Sequence, residues 1–218
     1  SSREILSEDE VACVLGAVVA TESLEDAAGA CVIIESIVER FDAKRTLFFK
    51  LDDMITRNVV VATNTSTLSI RSLARGLKAS SQMIGLHFFN PVLKMSLVEV
   101  IHTEETEASV LNQALEFARS LRKEPVILLD SPGFVVNRLL MQYINSAAKI
   151  VESGVCSSGD VDRAMRLGAN HPMGPLALAD LIGLDIVAAS LEHLCSELGD
   201  DSYRPCGLIR RLVGEGKV

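Results

Sequence analysis

Apolar segments long enough for strands alternate with helix-like segments in the first half of the chain. The segments Cys31–Glu35, Val59–Ala62 and Met83–Phe88 are mostly apolar on both faces. Between them, apolar residues recur at helical spacing over residues 40–54, and a shorter helix is predicted over 70–77. Strands of this kind, alternating with helices, are typical of a parallel sheet covered on both sides. The pattern therefore predicts an α/β fold.

Further elements extend this pattern on both sides. Ser7 is expected to cap a first helix that runs to about Leu15, since Glu10 stands three residues later and completes a capping box. Gly29 is expected to end a helical turn that begins at Leu24. The other predicted elements of this half are a short strand at 17–21, strands at Leu97–His102 and Pro125–Leu129, and a helix over 105–122.

Only helical spacing is found from Phe134 onwards, so the pattern changes near Pro132. The predicted helices cover residues 134–152, 158–167, 175–198 and 206–213. We therefore divide the chain into residues 1–131, which carry the sheet, and residues 132–218, which form an all-helical domain.

Composition limits the classes of protein that fit this architecture. The 218 residues are 48% hydrophobic and carry a formal net charge of −8. Such an acidic chain is not expected to bind nucleic acid, which usually requires a basic face. The apolar runs fall far short of the roughly 20 residues of a membrane span, and no leader pattern is seen at the start. We expect no membrane partner and a cytoplasmic location, or the mitochondrial matrix in a eukaryote.

The five cysteines are scattered, odd in number and without a CxxC pair. This spacing favours reduced, buried thiols over disulfides or a metal site. We therefore expect no metal ion.

The segment Ile84–Val100 carries the candidate chemistry. His87 lies in one apolar strand and Glu99 in the next, where both ionisable groups would be buried. Burial of such a group without a partner is costly, and a carboxylate behind an imidazole fixes its tautomer and raises its basicity. We interpret the two as a general-base pair, although a lone histidine on an apolar strand also suits a core residue with satisfied hydrogen bonds.

Polar residues gather where the predicted parallel strands end, which is the edge at which open sheets bind ligands. Besides His87, these residues are Glu35, Ser36, Glu39, Lys44, Asn64, Thr65, Ser66 and Asn90. Structural alternatives exist, because residues 64–66 could cap the next helix and Glu39 could form a solvated pair with Lys44. Their coincidence at one edge favours a site. Asn137 opens an apolar helix, from which its amide could reach a hydroxyl or carbonyl oxygen in the interdomain cleft.

Five segments of the chain resemble the L-3-hydroxyacyl-CoA dehydrogenase family, which includes bacterial 3-hydroxybutyryl-CoA dehydrogenases. In chain order they read NTSTLSI at 64–70, GLHFFNP at 85–91, LVEV at 97–100, DSPGFVVNRLL at 130–140 and HPMGPLALADLIGLD at 171–185. The resemblance implies the C-terminal portion of an NAD-binding, Rossmann-type domain followed by an all-α dimerisation domain. It also implies an acyl-CoA substrate and a homodimer joined through the C-terminal helices.

The resemblance further implies a role for each candidate residue. His87 corresponds to the catalytic base and Glu99 to its paired carboxylate. Ser66 and Asn137 correspond to the residues that hold the reacting oxygen of the substrate. Contacts to NAD are expected from Ser36, Glu39, Lys44, Asn64, Ser66 and Asn90. The implied reaction is the NAD-dependent oxidation of L-3-hydroxyacyl-CoA to 3-oxoacyl-CoA or its reverse, as in fatty-acid β-oxidation.

The most consequential departure from the family concerns the nucleotide-binding domain. It contains no GxGxxG motif, and the first strand-helix-strand-helix part of the nucleotide-binding domain is not seen. Without the glycine turn and the helix N-terminus that hold the pyrophosphate, we expect this stretch alone to bind NAD poorly. The alternatives are a non-catalytic fragment, a dimerisation scaffold, or a dehydrogenase of another 3-hydroxy acid.

Overall fold

A five-stranded sheet forms the first part of the molecule, as seen in a computed structural model that describes residues 7–55 and 58–217. From one edge to the other, the strands lie in sequence order. They are β1 (Val32–Glu35), β2 (Val60–Thr63), β3 (Met83–Phe88), β4 (Leu97–His102) and β5 (Glu124–Leu129). All five lie where the apolar runs predicted them, and the α/β fold is confirmed.

The direction of the last two strands differs from the predicted parallel sheet. β1, β2 and β3 are parallel, but β4 runs antiparallel to β3, and β5 runs parallel to β4. A parallel return needs a crossover of roughly a dozen residues or more, usually a helix. Residues 89–96 between β3 and β4 are too few and contain no helix. The chain therefore turns back, and the sheet is mixed.

Helices cover the sheet and make up the C-terminal part. They are α1 (Glu8–Gly16), α2 (Phe41–Asp52), α3 (Ile70–Ala74), α4 (Ala108–Ser120), α5 (Val136–Glu152), α6 (Ser158–Gly168), α7 (Pro175–Ile182), α8 (Leu184–Leu198) and α9 (Gly207–Gly214). The predicted capping box is present, with the amide of Glu10 donating to Ser7 Oγ at 3.3 Å. The single helix predicted over 175–198 is two helices, because Gly183 has a φ of +102°, which breaks helical geometry and which glycine tolerates.

Three local predictions are wrong. Residues 17–21 do not form a strand, and Val18 and Val19 are exposed there. β1 is only partly buried, because it is the edge strand of the described sheet. All five cysteines are free, but Cys206 alone is buried, whereas Cys13 and Cys31 are exposed. Each error has the same origin, since local apolar character predicts burial only where a neighbouring element covers the residue.

The sheet separates two apolar cores. Val61 of β2 packs in one cluster with Phe48 of α2 and Leu73 of α3. Its neighbour Val60 packs in a second cluster with Val110 of α4. Successive side chains of a strand point to opposite faces, so a strand that is apolar at every position is buried on both.

The helical part is joined to the sheet at its first residues. Phe134 precedes α5 and is buried in the cluster on the α2–α3 face. Beyond it, α5, α7, α8 and α9 enclose a separate core that includes Ile144 and Leu191. Every helix within residues 7–55 and 58–217 falls short of the length and apolarity that a bilayer crossing requires.

Gly85 in β3 is packed too closely for a side chain. A Cβ there would lie 2.9 Å from Ile101 Cβ and 2.9 Å from Ile70 Cδ1. We expect Gly85→Ala to lower the free energy of unfolding by about 1–3 kcal/mol, the usual cost of overpacking, as measured by urea denaturation. The control is Gly159→Ala in α6, where a Cβ meets nothing within 4 Å and alanine is the better helix former. Equal stability of the two variants would contradict this packing.

Candidate active site

His87 and Glu99 lie directly opposite each other on the antiparallel strands β3 and β4. Residues paired in this way place their side chains on the same face of the sheet. The His87 Nδ1 to Glu99 Oε2 distance is 2.7 Å, and the two side chains are 6% and 1% exposed. The predicted partnership of these two buried groups is therefore present as a short hydrogen bond.

The second oxygen of Glu99 is held by backbone amides. Val135 N and Val136 N, at the start of α5, donate to Glu99 Oε1 at 3.1 and 3.0 Å. Burial alone would raise the pKa of Glu99. The hydrogen bonds from His87 and from the two amides outweigh this, so the pKa lies below its ordinary value. Glu99 is therefore an ionised carboxylate that can only accept hydrogen bonds.

This acceptor fixes the tautomer of His87. Since ionised Glu99 cannot donate, Nδ1 of His87 carries a proton, and in the neutral imidazole the free lone pair is then on Nε2. Nε2 lies 3.1 Å from Ser66 Oγ, so the serine hydroxyl donates to it. The rings of Phe89 and Phe134 lie 4.6 and 5.7 Å from the imidazole, centroid to centroid, and restrict its rotation. The imidazole thus points its Nε2 toward Ser66 at the sheet edge.

Asn137 reaches the same loop from the helical part of the chain. Its Nδ2 donates to the backbone carbonyl of Ser66 at 3.3 Å. An amide nitrogen has two N–H bonds, so this contact uses one and leaves the other for a ligand. The predicted approach of Asn137 to the sheet edge across the domain boundary is what the geometry shows.

Glu39 organises the loop that follows β2. Its Oε1 accepts hydrogen bonds from Ser66 N at 2.9 Å, Thr67 N at 3.2 Å and Thr65 Oγ at 2.5 Å. Burial raises the pKa of Glu39. The bonds from Thr65 and Ser66 and the nearby Lys44 charge outweigh it, so the pKa lies below its ordinary value. The sequence placed Thr65 at this edge without a role of its own, and it missed Thr67, which follows Ser66 directly.

Lys44 is not a solvated residue. Its side chain is 0% exposed, and its ammonium lies 2.8 Å from Glu35 Oε1 and 3.3 Å from Glu39 Oε2. The predicted contact of Lys44 with NAD stays a prediction. Glu35 was placed at the predicted edge by the sequence, without a role of its own. A carboxylate that closes an apolar strand, upstream of a lysine in the next helix, is the signal that could have identified it.

The other candidate residues lie at the same edge. The amide of Phe88 donates to Asn64 Oδ1 at 3.3 Å, which ties the β2 loop to β3. Ser36 follows β1 and Asn90 follows β3, and both are exposed. The structure therefore brings His87, Glu99, Ser66, Asn137, Glu39, Lys44 and Asn64 into one connected group. Ser36 and Asn90 border it without a bond to it among the described residues. Within residues 7–55 and 58–217, no three or more His, Cys, Asp or Glu side chains are grouped so that they could hold a metal ion.

The lowered pKa of Glu99 predicts how stability responds to acid. A carboxyl group with a depressed folded pKa contributes stability above its unfolded value, here 4.5, and loses it as the pH falls through the folded pKa. We expect Glu99→Gln to lower the free energy of unfolding by about 1.5–3 kcal/mol at pH 7, the scale of a hydrogen bond to a charged group. The deficit should shrink below about pH 4.5 in urea denaturation.

The control is Glu116→Gln, which changes an exposed carboxylate on α4. This variant should follow the wild type at every pH. A Glu99→Gln deficit that stays constant from pH 7 into the acid range would contradict the assignment of an ionised Glu99.

Comparison with known proteins identifies the family of the chain. Residues 1–131 match the family model of the 3-hydroxyacyl-CoA dehydrogenase NAD binding domain, and residues 133–218 match that of its C-terminal domain. The 3-hydroxybutyryl-CoA dehydrogenase of Clostridioides difficile is 45% identical over 92% of this chain and 71% of its own length. A probable 3-hydroxybutyryl-CoA dehydrogenase of Bacillus subtilis is 42% identical over 96% of this chain and 73% of its own.

A solved structure has the same fold. The crystal structure of (S)-3-hydroxybutyryl-CoA dehydrogenase from Ralstonia eutropha is similar with a TM-score of 0.93 and 39% identity, over 97% of this chain and 75% of that one. The family resemblance, the oxidoreductase class and the NAD cofactor that the sequence predicted are confirmed by these matches. The chain belongs to the family of NAD-dependent 3-hydroxyacyl-CoA dehydrogenases.

Proposed function

We propose that His87 is the general base of this dehydrogenase and that it works on the 3-hydroxyl group of an L-3-hydroxyacyl-CoA. The observation that carries the proposal is the line from Ser66 Oγ through the imidazole to Glu99, with distances of 3.1 and 2.7 Å. A neutral imidazole with its lone pair on Nε2 is the form that accepts a proton. Oxidation yields a 3-oxoacyl-CoA, and the same residues serve the reverse reaction.

The proton moves along this line. During oxidation, His87 Nε2 takes the proton of the substrate hydroxyl, and the imidazolium that forms is stabilised by the Glu99 carboxylate. The amides of Val135 and Val136 keep Glu99 charged, so it stabilises the ion without taking the proton itself. In the reverse direction His87 returns the proton to the oxygen of the 3-oxo group.

Ser66 and Asn137 are proposed to hold the reacting oxygen. Ser66 Oγ already contacts the base, so its hydroxyl can turn to the substrate oxygen when one is present. Asn137 has a second N–H bond on the amide that it anchors to the Ser66 carbonyl. Two donors at one oxygen would place the carbinol carbon beside the base, which favours a reactive geometry.

NAD is proposed to bind along the sheet edge. When bound, it accepts the hydride from the carbinol carbon. Ser66 and Asn90 are exposed at that edge, and the Glu39 side chain is 38% exposed. Their polar atoms suit hydrogen bonds to the amide and hydroxyl groups of the cofactor. We assign contacts with the cofactor to Ser36, Glu39, Asn64, Ser66 and Asn90, with Lys44 behind them.

The substrate is proposed to be a short acyl thioester. This follows from the 3-hydroxybutyryl-CoA dehydrogenases of Clostridioides difficile and Bacillus subtilis, which share more than two-fifths of their aligned residues with this chain. The cytoplasm is the proposed location, or the mitochondrial matrix if the source is eukaryotic, as in the mitochondrial relative from Sus scrofa.

Residues 1–131 and 132–218 are proposed as two domains, of which the second joins two copies into a homodimer. Large apolar side chains stay exposed on three helices that contact one another, with Leu139 on α5 67% exposed, Leu181 on α7 71% and Ile186 on α8 54%. Apolar surface shared by adjacent helices is typical of an interface.

His87→Gln tests the proposed base. A general base contributes about 10²–10⁴-fold to the rate, so we expect kcat to fall at least about 100-fold, measured as acetoacetyl-CoA-dependent loss of NADH absorbance in the full natural chain. The control His102→Gln changes a histidine whose Nδ1 bonds only to the neighbouring Thr103 carbonyl among the described residues, and it should keep its activity. Wild-type kcat in His87→Gln would sink the assignment, and no turnover in the wild type would refute the proposed substrate.

Leu181→Glu tests the proposed dimer. The glutamate would be buried without a partner when two copies associate, which is costly. We therefore expect a shift from dimer to monomer in sedimentation equilibrium. Glu192→Ala, an exposed change on α8, should leave the molecular mass at that of a dimer. A monomeric wild type, or a dimeric Leu181→Glu variant, would contradict this interface.

A further inference from the structure

Lys44 is the centre of a buried polar group that the proposed chemistry does not use. Its ammonium lies 2.8 and 3.0 Å from the two oxygens of Glu35 and 3.3 Å from Glu39 Oε2. It also donates to the backbone carbonyls of Ile37 at 3.4 Å and Asn64 at 3.3 Å. One side chain thus joins the end of β1, the loop before α2 and the loop after β2.

Glu35 is held in place by hydrogen bonds to both of its carboxylate oxygens. It is 3% exposed, and besides Lys44 it accepts hydrogen bonds from Ile37 N and Thr63 Oγ, both at 2.6 Å. Thr63 is its register partner on β2, so this bond crosses the β1–β2 pair. A buried carboxylate with partners on both oxygens is a rigid point.

A series of contacts leads from Glu35 to His87. Lys44 holds one oxygen of Glu39, whose other oxygen accepts from the amides of Ser66 and Thr67. Those two bonds set the position of the loop that carries Ser66 Oγ, which lies 3.1 Å from His87 Nε2. The order of contacts is therefore Glu35, Lys44, Glu39, Ser66 and His87.

We propose that Glu35 is a positioning residue for catalysis, which holds Ser66 against His87 through Lys44 and Glu39. This inference rests on the roles proposed above for Ser66 and His87. Glu35 contacts neither Ser66 nor His87. It acts by balancing the charge of Lys44.

The physical reason is a competition between two carboxylates for one ammonium. With Glu35 present, Lys44 is shared, and Glu39 can direct its other oxygen to the loop amides. With a neutral group at position 35, the Lys44 charge is left mostly to Glu39, because a buried charge draws in the nearest opposite one. Glu39 then moves from the amides toward Lys44, and the loop with Ser66 loosens. Misplacement of a reacting group by about 1 Å can cost up to roughly 100-fold in rate.

A double-mutant cycle on the full natural chain tests this. The variants are Glu35→Gln, Ser66→Ala and both together, with kcat and both KM values measured for acetoacetyl-CoA and NADH. We expect Glu35→Gln to lower kcat about tenfold with little change in the KM for acetoacetyl-CoA; any rise in the KM for NADH should accompany the loss of kcat, because Glu39 and Ser66 are also proposed cofactor contacts. We expect the double variant to match Ser66→Ala within about twofold, since an effect carried by the serine disappears with it.

Asp52→Asn is the matched control for loss of a buried carboxylate. Asp52 is 8% exposed and accepts from Lys78 N and Ala79 N at 2.9 and 3.0 Å, before β3 and away from the site edge. It should lower stability in urea and leave kcat unchanged. If Glu35→Gln behaves like this control, with lowered stability and wild-type kcat, the positioning role is wrong.

Other outcomes are equally decisive. Independent, multiplicative losses in the double variant would place the effect of Glu35 outside Ser66, and a raised KM for NADH with normal kcat would make Glu35 a cofactor-site residue; both overturn the inference. Wild-type kcat in Ser66→Ala would instead refute the role proposed for Ser66. If Glu35→Gln does not fold, Thr63→Val removes one hydroxyl donor to Glu35 and should lower kcat in the same Ser66-dependent way; a Thr63→Val loss that persists in full without the serine would overturn it.

Discussion

The antiparallel pairing of β3 with β4 is the constraint on which the site depends. It places His87 opposite Glu99, on one face and at hydrogen-bonding distance. A shift of one residue in this register would send the carboxylate to the opposite face of the sheet. The imidazole would then lose the acceptor that holds its proton on Nδ1, and its Nε2 would no longer be a reliable base. The turn at residues 89–96, which reverses the chain, is therefore part of the chemistry.

Each buried charge near this pair is balanced by groups from another element. Glu99 receives two amides from the start of α5, so the first turn of the helical part keeps it ionised. Glu39 receives amides from the loop after β2, and Lys44 lies between two carboxylates. Such groups are costly when unpaired, which means that the elements must dock correctly for the charges to be tolerated. His87 therefore has an ionised Glu99 beside it only when α5 has docked correctly on the sheet.

The arrangement also explains why the proposed reacting groups lie at an edge of the sheet. Parallel strands β1, β2 and β3 end at the same side of the sheet, and their loops carry polar side chains over an apolar core. Behind the edge the polar atoms bond to one another and become rigid, as in Glu35 with Lys44. At the edge, Ser66 and Asn90 are exposed, where they are free to meet ligands. The same strand order therefore buries Glu35 and Lys44 and leaves Ser66 and Asn90 accessible.

The sequence by itself determined the five strands, the capping box at Ser7 and the change to helices after Pro132, and it selected His87, Glu99, Ser66 and Asn137 as candidates that the fold brings together. These features have local signals: apolar runs, turn residues, and ionisable groups where a core is expected. Strand direction was not predictable, because an apolar run looks the same in either orientation. The break at Gly183 was hidden inside a helical pattern that continues across it. Only the tertiary structure decided that Lys44 is buried against Glu35 and that α5 supplies amides to Glu99, because both contacts join residues that are distant along the chain and adjacent only after the sheet has formed.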